Sequence, residues 1–449
     1  MIFHLGAAAL AQPVLGVTHR IQYFPAALRQ SAFHATIAAD PFANELVVVV
    51  EYQGDWTVEE SQLRALQNQA GWGTGVGWTF RELSSRLQTR AGGVERVAHY
   101  PSVAVWPGSR DVLVTGKWRD AFLVGPQPAQ LWVQNWARAD FVKAPATLHF
   151  VLPPGRDVTD DAEHGRSNLT VDYPWFAKGA DRARLVLTYV SRVGDDDAFL
   201  KQKTADQPWW IRSPEHEVRA TAHEDDHLVN AFSREGWALT ALHSDGIRVR
   251  LSRADSSRQG GLVVRNDVLL PTAGVVDAAF PLDFPTIASA PRQDRDIIVV
   301  AAEPARPRGI VWWACETDGA TDPCGVASAW GVRTFERFRL SGARRSMAQP
   351  AVLGIPGRGD VYLFYETDEG AIAVAARCWG SDDFAWQGVI ERPEAYGSAK
   401  FSRLPGSPVP VVAWTLDEAT VVLHLVFVSE HDDGSVDVFH GYDRGYCPL

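Results

Sequence analysis

The chain carries little sulfur, with four cysteines and two methionines in 449 residues. Four thiols are too few for a disulfide scaffold, and no paired Cys-x-x-Cys spacing exists for a thiolate zinc site. No apolar run approaches the about eighteen residues of a membrane-crossing helix, so no membrane span is expected. An excess of cations is also missing. The 43 Lys plus Arg stand against 54 Asp plus Glu, a net charge of −11, which argues against a nucleic-acid partner held through its phosphates. There is no Gly-x-Ser-x-Gly elbow for a serine nucleophile, and the glycine-rich stretch from Gly71 to Gly77 lacks both GxGxxG spacing and a P-loop lysine. The acidic stretches Asp157 to Glu163 and Asp195 to Asp197 have no EF-hand register, so they read as solvated turns. No metal site is assigned and no cofactor is expected, calcium being the one cation those loops would suit.

What is present is a folding composition, 46% apolar and 22% charged. Met1 to Pro13 is a short apolar stretch ending in Ala9-Leu10-Ala11, the small-x-small pattern that precedes signal-peptidase cleavage, although it lacks a basic leading region. Residues 1–14 are therefore read as a signal-like or N-terminal segment, and a secreted or periplasmic location is favoured over a cytoplasmic one. Cys315 and Cys324 flank a turn-rich loop and read equally as a local bridge or as two free thiols. Cys378 and Cys447 offer a second bridge to the C-terminus. Connectivity stays open.

One unit recurs along residues 15–449: an apolar strand, a turn of Pro, Gly or charged residues, and a second apolar strand. Its anchor positions are Ala35, Pro101, Pro174, Leu228, Pro285, Pro350 and Ala399, roughly 50 to 70 residues apart, enough for a four-stranded sheet with loops. In the last unit, Ala399 to Ser402 reads as the first strand and Val411 to Trp414 as the second. Third strands are legible at Gln130 to Trp136, Ile247 to Ser252, Ile310 to Ala314, Ala371 to Ala376 and Val421 to Val428. A small antiparallel sheet has two faces and two edges to cover, so a series of them is stable when arranged around an axis. The expected fold is all-β, a seven-bladed β-propeller with four-stranded antiparallel blades around a central channel. Six blades with one long insertion is the alternative. Leu15 to Phe24 has strand character and is expected to complete the last blade. Thr57 to Glu60 reads as a capping box, predicting a short helix over Ser61 to Gln69.

Asp172-Tyr173-Pro174-Trp175-Phe176-Ala177 resembles the phrase Asp-x-Pro-Trp-Ile-Ala that opens blades of the sialidase-like, or BNR-repeat, propeller superfamily. Ala371 to Arg377 followed by Ser381-Asp382-Asp383-Phe384-Ala385-Trp386 is similar to that family's strand and Asp-box hairpin, without its Gly-x-Thr portion. His243-Ser244-Asp245-Gly246 is a poorer echo. The resemblance implies a fold rather than an activity. Sialoside-cleaving members use three arginines, a Tyr activated by Glu, and an Asp acid. Arg20, in Arg20-Ile21-Gln22-Tyr23-Phe24-Pro25, parallels the first of those arginines, and the other two have no counterpart here.

Propeller sites form where innermost strands converge at the channel mouth. Residues just ahead of the anchors would supply that rim: His34, His99, Tyr100, Asp172, Tyr173, Asp226, His227, Asp283 and Gln349. As acid, base or nucleophile the candidates are His99, Asp172, Tyr173 and Asp283. As ligand contacts they are Arg20, His34, Tyr100, Asp226, His227 and Gln349. Singly, an Asp or His before a strand caps a turn; recurrence at equivalent positions is what suggests a site. His223-Glu224-Asp225-Asp226-His227 matches HExxH but runs into a strand pattern rather than a helix, so it reads as a charged loop. Trp72, Trp78, Trp106, Trp209 and Trp210, in or beside loops, are the tryptophans best placed to meet a sugar.

These features suggest a secreted propeller that binds a glycan or similar polar small ligand at the channel mouth, with or without catalysis. The alternatives are a propeller glycoside hydrolase, lyase or cyclase using rim Asp, His and Tyr, and a protein-interaction scaffold. Oligomeric state is not legible.

Overall fold

The computed structural model describes thirty strands, named below, together with residues 25, 41, 233–234, 237, 246, 270–272, 290–295, 323–330, 349–350, 356–359, 371, 378–384, 410, 431–435 and 445–448. Strand β1 (Val17–Phe24) precedes a first sheet of β2 (Ser31–Asp40), β3 (Glu45–Gln53), β4 (Ser61–Asn68) and β5 (Trp78–Glu82). The second sheet holds β6 (Arg96–Val105), β7 (Val112–Asp120), β8 (Gln130–Trp136) and β9 (Thr147–Phe150). The third holds β10 (Asp157–Val158), β11 (Ser167–Asp172), β12 (Arg184–Val193), β13 (Asp197–Ala205) and β14 (His216–Arg219). The fourth consists of β15 (Leu228–Phe232), β16 (Ala238–His243), β17 (Ile247–Asp255) and β18 (Gly261–Leu269). The fifth consists of β19 (Leu282–Ser289), β20 (Asp296–Pro304), β21 (Ile310–Thr317) and β22 (Gly331–Phe335), and the sixth of β23 (Ala351–Ile355), β24 (Asp360–Glu366), β25 (Ile372–Arg377) and β26 (Ala385–Glu391). The seventh joins β27 (Lys400–Phe401), β28 (Val411–Asp417), β29 (Thr420–Glu430) and β30 (Val436–Arg444) to β1, which pairs with β30.

All these pairings are antiparallel between strands adjacent in sequence, except where β1 closes on β30 and where β10 and β27 pair past a neighbour. The first strand of each sheet touches the first strands of the sheets on either side. Contacts run β2 to β6, β6 to β11, β11 to β15, β15 to β19, β19 to β23, β23 to β28, and β28 back to β2. The circuit is closed. The fold is a β-propeller whose described strands form seven sheets.

Local chemistry explains the elements. Second strands such as Leu46-Val47-Val48-Val49-Val50 are covered on both faces by neighbouring sheets, and all five residues are fully buried. Continuous β-branched runs suit such strands, and each buried side chain contributes about 2 kcal/mol. Sheets meet through apolar seams. Trp312 and Ile310 pack with Val361, Leu363 and Phe384 between the fifth and sixth sheets, and Phe427 and Leu425 pack with Tyr362 and Phe364 between the seventh and sixth. Inner strands approach closely at Gly354, where a Cβ would collide with the Ser289 carbonyl of β19.

Two expectations require correction. Ser61 to Gln69 is not helical, because β4 pairs with both β3 and β5 over Ser61–Asn68. Two sheet neighbours outweigh a local capping signal, and Ala65 and Leu66 bury against those strands. In the seventh sheet, Val411 to Trp414 belongs to the inner strand β28 rather than to a second strand, and β29 is the second. Among the described residues the only helical turns are the short 3₁₀ turns Pro323–Gly325 and Ala327–Ala329, and no helix is long and apolar enough to cross a membrane. Both cysteine pairs are bonded, Cys315 to Cys324 within the fifth sheet's loop and Cys378 to Cys447 between the sixth sheet and the chain beyond β30.

Candidate functional site

Each inner strand has a turn end, where it passes to the second strand, and an opposite end facing the proposed channel mouth. The turn ends are regular. Five of the seven mouth ends are not, whereas β15 and β23 pair without a slip.

In β2 the register with β3 slips between Ala32 and His34, in β6 it slips between His99 and Ser102, and in β19 between Asp283 and Thr286. The third sheet goes further: β10 and β11 both pair with β12, so its inner edge is broken between Val158 and Ser167 on the mouth side. The seventh repeats that device, β27 and β28 sharing β29 across a break from Phe401 to Val411. Five inner edges among the described residues thus depart from regular pairing at one end. Proline explains two of them, since Pro101 and Pro285 lack the N–H that a ladder position demands and lie inside the β6 and β19 bulges. Bulges turn side chains off the regular alternation and concentrate beside functional sites.

His34, His99 and Asp283 lie in these bulged segments, and Tyr100 lies inside the β6 bulge. Register sets His34 opposite Glu51, His99 opposite Lys117, and Asp283 opposite Glu303. Glu51 is buried and closes the valine run of β3; sequence reasoning did not single it out, although a carboxylate ending such a run is a visible signal. Gln349 is buried just ahead of β23, and its Nε2 donates to the Pro285 carbonyl. It therefore braces the bulge that carries Asp283, from the next sheet.

Two candidates lie elsewhere. Asp172 is the last residue of β11 and pairs with Arg184 at the turn end, opposite in direction from His34, His99 and Asp283. The sequence reading placed the inner strand after Asp172, whereas β11 precedes it. Arg20 sits on β1, the strand farthest from the inner edge of its sheet, with Nη1 3.5 Å from Asp437 Oδ1 and its guanidinium 5.3 Å over the Tyr23 ring. Asp437 also meets His431 Nε2 at 2.8 Å. Arg20 is thus an exposed guanidinium set over a buried carboxylate. Tyr173, Asp226 and His227 fall outside the described residues, as do the rest of the HExxH stretch and Gly71 to Gly77.

The turn ends carry buried carboxylates that bind protein groups. Asp296 accepts from Ser289 Oγ at 2.7 Å and from the Arg234 backbone N–H at 2.8 Å, tying the fifth sheet to the fourth. Burial pushes its carboxyl up to about 6, against the lowering effect of those hydrogen bonds. Asp360 accepts from Arg358 Nε at 2.8 Å and from the Trp379 backbone N–H at 2.9 Å. Asp360, Cys378 and Cys447 are the one close group of metal-ligating types among the described residues, but the two sulfurs are bonded to each other and the carboxylate is taken. Ser381 to Trp386 forms the hairpin between β25 and β26, where Ser381 Oγ donates to the Asp383 carbonyl at 2.9 Å and Arg333 Nη1 donates to Asp383 Oδ1 at 2.6 Å. His243 and Gly246 flank the connection from β16 to β17 instead, so that echo is not an equivalent hairpin.

No protein-family model and no curated protein matches the chain. Its likeness is to solved propellers. A Hadza microbial sialidase aligns at 12% identity and a TM-score of 0.48, covering 78% of this chain and 66% of the sialidase. The fucose-recognising lectin of Aleuria aurantia, described as a six-bladed β-propeller, aligns at 11% identity and a TM-score of 0.40 over 80% of this chain and 96% of the lectin. Polysaccharide lyase Uly1 aligns at 10% identity and a TM-score of 0.48, covering 96% of this chain and all, 100%, of the lyase. The chain thus spans about two-thirds of the sialidase, and its similarity to all three is one of fold.

Proposed function

We propose that this protein binds a glycan or similar polar small ligand at the mouth of its propeller ring, outside the cytoplasm, with the seven sheets serving as seven blades. The reading rests on one observation, the recurrence of bulges and breaks at the mouth ends of five inner edges, two of them carrying His99 and Asp283 at matching positions ahead of a Tyr-Pro or Phe-Pro pair. A ring that only needed to be stable would keep regular ladders at both ends, as it does at the turn ends. Imidazole and carboxylate groups carried at matching positions on separate strands can donate to and accept from sugar hydroxyls. The two disulfides suit an oxidising compartment.

The test is a double variant, His99→Ala with Asp283→Ala, read by glycan array and by ligand-induced thermal shift. Loss of both signals is expected, with the unfolding temperature of the ligand-free protein kept within a few degrees. Asp172→Ala, at the turn end, is expected to bind as the wild type does. Undiminished binding by a folded double variant rejects the mouth as the site.

A further inference from the structure

The seventh sheet is assembled from both ends of the chain, and its face toward the first sheet carries a row of imidazoles. Register sets His440 directly opposite His19, and His424 opposite Tyr442 two residues further along on the same face. His424 and His440 are fully buried. His424 Nδ1 lies 3.1 Å from His440 Nε2, and His424 Nε2 lies 2.8 Å from Thr415 Oγ1 on the inner strand β28. The Tyr442 ring stacks on His440 at 6.0 Å and lies 6.1 Å from His19, while Trp78 of β5 covers His440 at 5.5 Å. A hydrogen-bonded path thus runs from the inner strand outward to the β30 imidazole, against the strand that closes the ring.

We infer that this row is a pH-sensitive latch on the closing sheet, holding β1 and β30 in place at neutral pH and releasing them in acid.

The proton count is what makes it a latch. With both rings neutral, each contact in the path holds one proton, in either polarity, and both polarities leave the buried His440 Nδ1 without a partner. One added proton must sit in an apolar seam formed by Val426, Val428, Ile37, Val48 and Val50. A second proton sets two N–H groups head to head across the 3.1 Å contact and breaks it. Among the described residues, no carboxylate contributes to the shift of either ring. Among the described residues, His440 bears on His424 and His19 bears on His440; the Tyr442 phenol shares the face, and the first sheet offers Trp78, Ile37, Ala39 and Leu46 there. Burial first, then the neighbouring imidazole, holds His424 well below its usual value of 6.5 and His440 at about 3. Once β1 and β30 part from the first sheet, both rings titrate normally. Acid therefore favours the open state.

Hydrogen exchange on the full chain at pH 7.5 and 4.5, corrected for intrinsic exchange rates, tests this. From the His440 shift alone, the opening constant for peptides covering 17–24 and 436–444 is expected to rise about 100-fold, with little rise for 360–377 of the sixth sheet. His440→Gln keeps an amide donor toward His424 but cannot titrate, and it is expected to remove most of the rise; His424→Gln is the companion variant. An equal rise in the sixth sheet, or an undiminished one in a folded Gln variant, overturns the latch. If neither variant folds, the comparison between sheets in the wild type decides it.

Discussion

Asp296 is a carboxyl kept in the interior by two donors, the Ser289 hydroxyl and the Arg234 amide, and burial still outweighs them in setting its proton affinity. Its folded-state value, about 6, stands above the ordinary 3.8. A carboxyl so raised contributes stability that is full below the ordinary value and is lost as pH rises through the folded one. Wild-type stability measured against Asp296→Asn is therefore expected to fall by about 3 kcal/mol between pH 3 and pH 8, with urea unfolding as the readout. A difference that does not change with pH would mean the carboxyl is better solvated than its position implies. The imidazole pair responds in the opposite sense, losing stability as pH falls below 6.5, so the two seams weaken at opposite ends of the pH scale. Neither group was legible in the sequence. Asp296 and Arg234 lie on different sheets, and His19, His424 and His440 meet only because the two chain ends share a sheet.

At the scale of strands, pairing followed the residue pattern where an apolar run stood between turn formers, as in β8, β21 and β25. It departed from the pattern where a partner strand overrode local preference. Ser61 to Asn68 has a helix-like start yet lies between two strands. Val411 to Trp414 resembles a second strand but continues an inner edge begun at Lys400. The breaks themselves were half visible: Pro101 and Pro285 announced irregular pairing, whereas nothing in the residues marks the Ala32 slip. The inner edges also set a strict limit on size. Gly354→Ala places a methyl group against the backbone carbonyl of Ser289, which cannot turn aside without disturbing the β19 and β20 ladder. We expect a loss of about 2 kcal/mol, seen as a lowered unfolding temperature. An unchanged temperature would show that β19 and β23 can separate at no cost.

For the whole molecule, closure is made twice. Strand β1 completes the seventh sheet, and the Cys378 to Cys447 bond fastens the segment after β30 to the sixth, where Arg358 Nη2 also holds the Cys447 carbonyl at 2.9 Å. The irregularities of the inner wall gather at the same end of five of its seven edges. The propeller was legible because it is written in a repeat. The proposed site was legible only in part: His34, His99 and Asp283 share the bulged ends of their strands, whereas Asp172 lies at the turn end and Gln349 bonds the Pro285 carbonyl. A side chain's end of a strand depends on register, which residue order alone does not fix. The most direct test of the mouth site is an experimental structure with an oligosaccharide selected on the array. The account predicts sugar hydroxyls within hydrogen-bond distance of His99 and Asp283; a sugar seated between sheets at the perimeter, or at the turn ends beside Asp172, would contradict it.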